Sequence, residues 1–358
     1  MNIVYSCISV FIIAFLAVYS FTPFVIRYAL RTNFVDNPNA RKIHKTAIPL
    51  LGGVSVFSGF FFLTIYIIFT KLHTFSWPIL GYLAGAIIIT VVGVIDDKRG
   101  MKPITKSLGQ LAACMAFIYA NDLTTMLGPV YITLPILILW MVGLMNALNF
   151  LDNMDGIITG MSGILALGFY AFSFISKTPG MILEAEFISL LSLAFAGSVF
   201  GFLPYNFNPA KIFLGDAGSM FIGYFLSTMG ILTGNLAVAS KGDKLYFLLP
   251  VLLLSYAIFD ISLVSFTRKR DGRRISQGGK DHSTHRIGTA MGSAKITAIF
   301  VYLINIIIVL ITIIVFKMES PQLLILSTVL FAVIFLFLGR KLDQIPIIVP
   351  ENQKKNKK

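Results

Sequence analysis

Residues 131–156 read YITLPILILWMVGLMNALNFLDNMDG. From Tyr131 to Leu148 the stretch is apolar and carries no charge, which is the length and character of a helix crossing a bilayer. It then runs directly into Asn149, Asp152, Asn153 and Asp155, with Asn146 just inside the apolar part and no Lys or Arg anywhere in it. Asn146 and Asn149 are three apart, as are Asp152 and Asp155, so each pair shares a face if the helix continues. Asp155 before Gly156 can also be a plain N-cap for the next helix. One cap does not use four amide and carboxyl groups, and these carboxylates need partners from elsewhere: a metal, a nucleobase or sugar hydroxyls.

Ten further apolar runs flank this one, at 3–26, 51–70, 78–95, 107–120, 157–176, 184–203, 213–233, 245–266, 295–317 and 321–338. The composition agrees, with 56% hydrophobic residues, 13% charged residues and a mean hydropathy of +0.84. No soluble domain of this length reads so apolar. The expected fold is all-α, a polytopic membrane protein of about eleven transmembrane helices in one domain over 1–340. A basic tail at 341–358 is expected to be disordered. The first run is not a cleaved signal peptide, since no basic residue precedes Arg27. Cys7 and Cys114 both lie in apolar runs, so no disulfide framework is implied.

An odd number of spans puts the termini on opposite sides. With the N-terminus outside, only Lys71, Lys177, Lys241, Lys244 and Lys317 of the 29 Lys and Arg residues fall outside, which leaves 24 inside. This positive-inside bias predicts N-terminus out and C-terminus cytoplasmic. It also accounts for the net charge of +13 without nucleic acid as a partner.

The same topology gathers the acidic residues at the cytoplasmic surface. Asp96-Asp97 ends the third run, and Lys106 lies nine residues on, near the start of the next. Adjacent carboxylates repel unless a cation relieves them. The bland alternative is a solvated helix end paired with Lys98 or Arg99. Asp216, in Gly215-Asp216-Ala217-Gly218-Ser219, opens the eighth run as an N-cap or as a hard-cation ligand. Asp260 lies deeper, and an intramembrane carboxylate is functional or paired. The basic loop 267–295 carries Lys280, Asp281, His282, Ser283, Thr284, His285 and Arg286. Without a cysteine or third histidine beside them, the two histidines suit phosphate better than a transition metal. His44, in Arg41-Lys42-Ile43-His44-Lys45, belongs to a second basic loop.

In chain order these elements are Arg-Lys-x-His…Pro…Gly-Gly (Arg41, Lys42, His44, Pro49, Gly52, Gly53), Asp-Asp, Asn-x-x-Asn-x-x-Asp-x-x-Asp-Gly, Gly-Asp-x-Gly-Ser and His-x-x-His-Arg. Over nearly the whole chain this resembles the polyprenyl-phosphate N-acetylhexosamine-1-phosphate transferases, relatives of phospho-N-acetylmuramoyl-pentapeptide translocase. The resemblance implies transfer of a sugar-1-phosphate, most simply N-acetylglucosamine-1-phosphate, from a UDP-sugar to undecaprenyl or another polyprenyl phosphate, with release of UMP. It implies Mg²⁺, with Mn²⁺ able to substitute. It further implies a plasma-membrane location with a cytoplasmic active site, contact with membrane lipid, and a homodimer as one possible assembly. Carried over by motif, Asp96, Asp97 and Lys106 are the catalytic residues, and Asp216 and Asn149 the metal ligands. Asn146, Asp152, Asp155, His282, His285 and Arg286 bind the nucleotide-sugar, with His44 and Asp260 in supporting places. Thr284 and His285 stand where many N-acetylglucosamine users carry two adjacent histidines, which leaves the exact sugar open. A muropeptide-specific relative, which would carry a three-histidine run, is one alternative. A lipid-linked-sugar transporter is another, though transporters place such groups near the bilayer midplane.

Overall fold

The structure is a computed structural model that describes residues 3–37, 47–72, 76–176, 181–275 and 279–346. His44, with Arg41, Lys42 and Lys45, lies outside the described residues, as does the tail from 347 onward. The described chain is predominantly helical. The helices are α1 (Ile3–Arg31), α2 (Gly52–Ile67), α3 (Trp77–Arg99), α4 (Pro103–Ala120), α5 (Val130–Leu151), α6 (Ile157–Ile175) and α7 (Ile182–Asn206). They continue as α8 (Gly215–Lys241), α9 (Leu248–Leu253), α10 (Ser255–Arg270), α11 (Ser283–Met291), α12 (Ala294–Lys317) and α13 (Pro321–Asp343). One two-stranded antiparallel ribbon, β1 (Val35–Asp36) with β2 (Ile48–Pro49), joins α1 to α2.

All eleven anticipated runs are helical, but not all are uninterrupted spans. Among the described residues nine helices are long and apolar enough to cross a membrane, or ten if α9 and α10, bent by 69° at Leu254, make one crossing. The remaining one, α4, is too polar because it carries Lys106 and Gln110. α11 was not anticipated at all. Residues 341–343, assigned above to the tail, complete the last turn of α13.

Helix ends follow local chemistry. Proline opens α3, α4 and α13, where its missing N–H is harmless. Gly100, at φ +66°, stops α3 just after Asp96-Asp97, a backbone conformation that other residues adopt at a cost. Around the periphery, exposed Ile, Leu and Phe such as Phe62, Leu139 and Leu336 form the surface that hydrocarbon would cover. α8 is the most enclosed helix, with 83% of its apolar window buried against 22% for α13.

The bundle closes tightly at the start of α8. A methyl group on Gly53 would lie 2.1 Å from the backbone nitrogen of Gly218, and one on Gly93 would lie 2.3 Å from Ala217 Cα. Only glycine lets α2 and α3 approach α8 so closely. Backbone bonds from Gly52 N to Phe213 O (3.0 Å), Gly53 N to Leu214 O (2.7 Å) and Phe213 N to Pro49 O (2.8 Å) lock the same junction. The Pro…Gly-Gly element is therefore the fastening that sets Asp216 beside the end of α3.

Candidate active site

Four helix termini meet at this junction: the end of α3, the start of α4, the end of α5 and the start of α8. Lys106, in the first turn of α4, stands at their centre. Its Nζ lies 2.9 Å from Asp96 Oδ2, 2.8 Å from Asp216 Oδ2 and 3.1 Å from Asn149 Oδ1. Asn149 Nδ2 in turn donates to Asp216 Oδ1 (2.7 Å) and Ser219 Oγ (2.8 Å). Asp97 accepts the backbone N–H of Asp216 (2.8 Å) and of Ala217 (3.1 Å), and so caps α8 from another helix. Asp96 accepts the N–H of Met101 at 2.6 Å. The solvated helix end paired with Lys98 or Arg99 is not what forms. The Lys106 side chain is 15% exposed and that of Asp96 10%.

A cavity of about 610 Å³ opens beside this cluster. Asp97, Asn149, Asp152, Asp155 and Asp216 line it, joined by Lys280 and His285 from the basic loop. Asp155 accepts hydrogen bonds from Asn208 Nδ2 (2.9 Å) and Ala210 N (3.0 Å), which fixes it to the loop between α7 and α8. Asn206 ties that loop to α6, accepting from Gly156 N and Thr159 Oγ1 and donating to Ile212 O. Asp152 is half-buried. Burial, and then the charges of Asp216, Asp97 and Asp155, push its carboxyl well above the usual range.

The structure divides the other sequence candidates into those that face the cavity and those that do not. Asn146, His282, Arg286 and Asp260 are not among its lining residues. His282 Nδ1 lies 2.8 Å from Asp260 Oδ2, and Asp260 Oδ1 also accepts from Ser283 N (2.7 Å) and Oγ (2.6 Å). Arg286 is buried, with Nε on Asp281 O (3.0 Å) and Nη1 on Leu342 O (2.9 Å). Asp281 takes a two-pronged contact from Arg268, 2.9 and 2.7 Å, and a third bond from Arg273 at 2.8 Å. Burial opposes ionisation there, but the bonds and charge of Arg268, with Arg273 and His282 beside it, hold the Asp281 carboxyl down at about 2. These residues pin α11 to α10 and α13. What they present to the cavity is His285 and Lys280.

His285 has its pKa lowered to about 4, first by burial and then by the charges of His282 and Lys280. It is therefore a neutral imidazole near neutral pH, able to donate one hydrogen bond. Its unfolded form titrates near ~6.5. Between those values the unfolded chain binds the proton that the folded chain refuses, so stability falls as pH drops from about 6.5 toward 4. His285→Asn should flatten that part of the stability profile, measured by thermal unfolding in detergent from pH 7 to 4. An unchanged slope would contradict the assignment.

Sequence reading missed Lys280 as a lining residue, although it sits in the quoted loop. It also missed Asn206 and Asn208, whose signal was two polar residues and Pro209 at the end of an apolar run. Among the described residues no three His, Cys, Asp or Glu side chains already converge as a metal cage. The donor chemistry nevertheless fits a hard divalent cation. Lys106 pairs with two carboxylates, Asp96 and Asp216, and Asp97 lies beside Asp216, so acidic groups outnumber the lysine, and the oxygens of Asp216, Asp97 and Asn149 are the type that Mg²⁺ takes with water and phosphate.

The chain is similar over most of its length to known proteins. The description glycosyl transferase family 4 matches residues 79–234, from α3 into α8. A probable undecaprenyl-phosphate N-acetylglucosaminyl 1-phosphate transferase of Bacillus subtilis is 31% identical over 304 residues, covering 82% of this chain and 81% of its own length. A decaprenyl-phosphate N-acetylglucosaminephosphotransferase of Mycobacterium tuberculosis is 29% identical over 299 residues, 77% of this chain and 74% of its own. A phospho-N-acetylmuramoyl-pentapeptide-transferase of Prochlorococcus marinus is 30% identical over a shorter 252 residues, 64% of this chain and 68% of its own. With the first relative matched across four-fifths of both chains, the protein belongs to glycosyl transferase family 4, among the polyprenyl-phosphate N-acetylhexosamine-1-phosphate transferases that its motifs resemble.

Proposed function

We propose that the protein transfers N-acetylglucosamine-1-phosphate from UDP-N-acetylglucosamine to a polyprenyl phosphate and releases UMP. The observation that carries this reading is the Asp96–Lys106–Asp216–Asn149 cluster beside the 610 Å³ cavity, which Asp216 and Asn149 line and Asp96 and Lys106 back. The names of the relatives point the same way.

In this reaction an oxygen of the lipid phosphate attacks the β-phosphorus of the UDP-sugar. The bond from that phosphorus to the bridging oxygen breaks, and UMP leaves with the oxygen. The acceptor has its second pKa near ~6, so little proton abstraction is required. Catalysis is then a matter of neutralising charge and aligning two anions. Lys106 supplies a fixed positive charge, and Asp96 holds its ammonium. Asp97 holds the start of α8, and through it Asp216. Asp216, Asn149 and Asp97 would hold Mg²⁺, with Mn²⁺ a substitute. When bound, the metal neutralises pyrophosphate charge. Asp152 and Asp155 face the nucleoside, and Lys280 and His285 face the phosphate or sugar. Asp260, His282 and Arg286 act by holding that loop in place.

The same reading puts the protein in the plasma membrane with the cluster on the cytoplasmic face. That requires α4 and the α9–α10 pair each to cross, giving eleven crossings with the N-terminus out and C-terminus in. The distribution of Lys and Arg supports it. With Cys7 and Cys114 replaced by Ala, Thr125→Cys should react with an impermeant thiol reagent from outside and Ala290→Cys only from inside. The reverse pattern would overturn the orientation. The donor is tested by UMP release from purified protein with a polyprenyl phosphate and a panel of UDP-sugars. UDP-N-acetylglucosamine or a close N-acetylhexosamine should be fastest. Faster turnover of a muropeptide nucleotide would contradict the assignment.

A further inference from the structure

One helical turn beneath the Lys106–Asn149 contact, α4 and α5 are joined a second time. Gln110 follows Lys106 by four residues on α4, and Asn146 precedes Asn149 by three on α5, so each pair shares a helix face. Gln110 Nε2 donates to Asn146 Oδ1 at 3.2 Å, and Asn146 Nδ2 donates back to Gln110 Oε1 at 3.1 Å. The remaining protons are used too, with Gln110 Nε2 3.7 Å from Met220 Sδ and Asn146 Nδ2 2.9 Å from Val142 O. Gln110 is fully buried, and neither amide lines the cavity. Among the described residues, this pair and Lys106–Asn149 are the side-chain hydrogen bonds between α4 and α5. A reciprocal amide pair inside an apolar bundle is favourable only while both members are present.

We propose that Gln110 is a positioning residue for the transfer described above: its amide clasp with Asn146 sets α4 against α5 so that Lys106 is held between Asp96, Asn149 and Asp216. The inference rests on that functional reading. Lys106 needs such support. It lies in the first turn of α4, and the N-cap residue of that helix, Lys102, makes no side-chain capping bond. Its four-carbon stem is flexible, so its ammonium meets all three partners only while the backbone beneath it keeps α4 in register with α5. A displacement of about 1 Å in such a group can cost about 10²-fold in rate. Asn146, expected from its motif to touch the nucleotide-sugar, is thereby assigned to the clasp.

A swap separates this role from bulk stability. Gln110→Asn shortens the clasp by one methylene, Asn146→Gln lengthens it by one, and the double variant keeps two amides and the total reach. Gln110→Asn should lower kcat at least about tenfold with KM for UDP-N-acetylglucosamine little changed, and the double variant should regain most of the loss. A second readout does not depend on turnover: acylation of Lys106 by an amine reagent, mapped by mass spectrometry. It should be slow in the parent, faster in Gln110→Asn and slow again in the swap. If Gln110→Asn does not fold, Asn146→Ser opens the clasp from α5 and is read the same way. Parent kcat in the single variants, unchanged Lys106 reactivity, or a swap no better than either single change would overturn the proposal. A parent protein silent with every UDP-sugar would instead overturn the functional reading, while the Lys106 measurement still decides the clasp.

Discussion

Asp216→Asn should reduce UMP release by about 10²–10³-fold, the loss that follows removal of one preorganised electrostatic group. The substitution keeps the shape of the side chain and exchanges one carboxylate oxygen for an amide. It takes one negative charge from a cluster in which Asp216 contacts both Lys106 and Asn149. Folding should survive, because the start of α8 is held independently. Asp97 accepts the N–H groups of residues 216 and 217, and Gly52 and Gly53 bond to the segment just before. Thermal unfolding in detergent should therefore change little while turnover collapses. The same preparation should require Mg²⁺, accept Mn²⁺ and fall silent in EDTA. Full turnover by Asp216→Asn, or by the parent protein in EDTA, would remove Asp216 from the role of metal ligand.

Lys106→Met should cost a similar ~10²–10³-fold, with a different stability signature. Methionine fills the space of the lysine stem but leaves Asp96 and Asp216 facing each other with no cation between them. The unfolding temperature should fall. Adding Asp96→Asn to Lys106→Met should restore part of that stability, because the repulsion is relieved, yet restore no activity, because the positive charge is still missing. Kinetics and melting measured side by side separate the two effects. Activity regained in the double variant would mean that Lys106 acts only by shielding its neighbours.

The sequence carried the helices well, because lipid-length apolar runs are a strong and simple signal. It carried the bend at Leu254 poorly. Residues 245–266 read as one apolar run, and neither Gly nor Pro stands at the break. It also located α4 imperfectly. Lys106 made its first turn look like loop and the run was begun at 107, whereas Pro103 begins the helix and Lys106 projects from it. The cluster itself was legible because carboxylates beside hydrocarbon need a reason to be there. The division of labour within each motif was not. Asp96 and Asp97 are adjacent, yet one pairs with a lysine and the other caps a helix that arrives more than a hundred residues later. His282 and His285 are three apart, yet one is buried against Asp260 while the other faces the cavity. Spacing brings residues to one end of a bundle, and only tertiary packing decides which of them remain available to a ligand.

The fate of the β-phosphate tests the central claim most directly. Purified protein would be given UDP-N-acetylglucosamine labelled with ³²P at the β-phosphate, together with a polyprenyl phosphate and Mg²⁺, and the products separated into lipid and aqueous fractions. Transfer of the sugar with its phosphate predicts label in the lipid fraction and unlabelled UMP in the aqueous one. Label recovered in aqueous UDP, with sugar alone on the lipid, or in intact nucleotide-sugar with no lipid product, would contradict it.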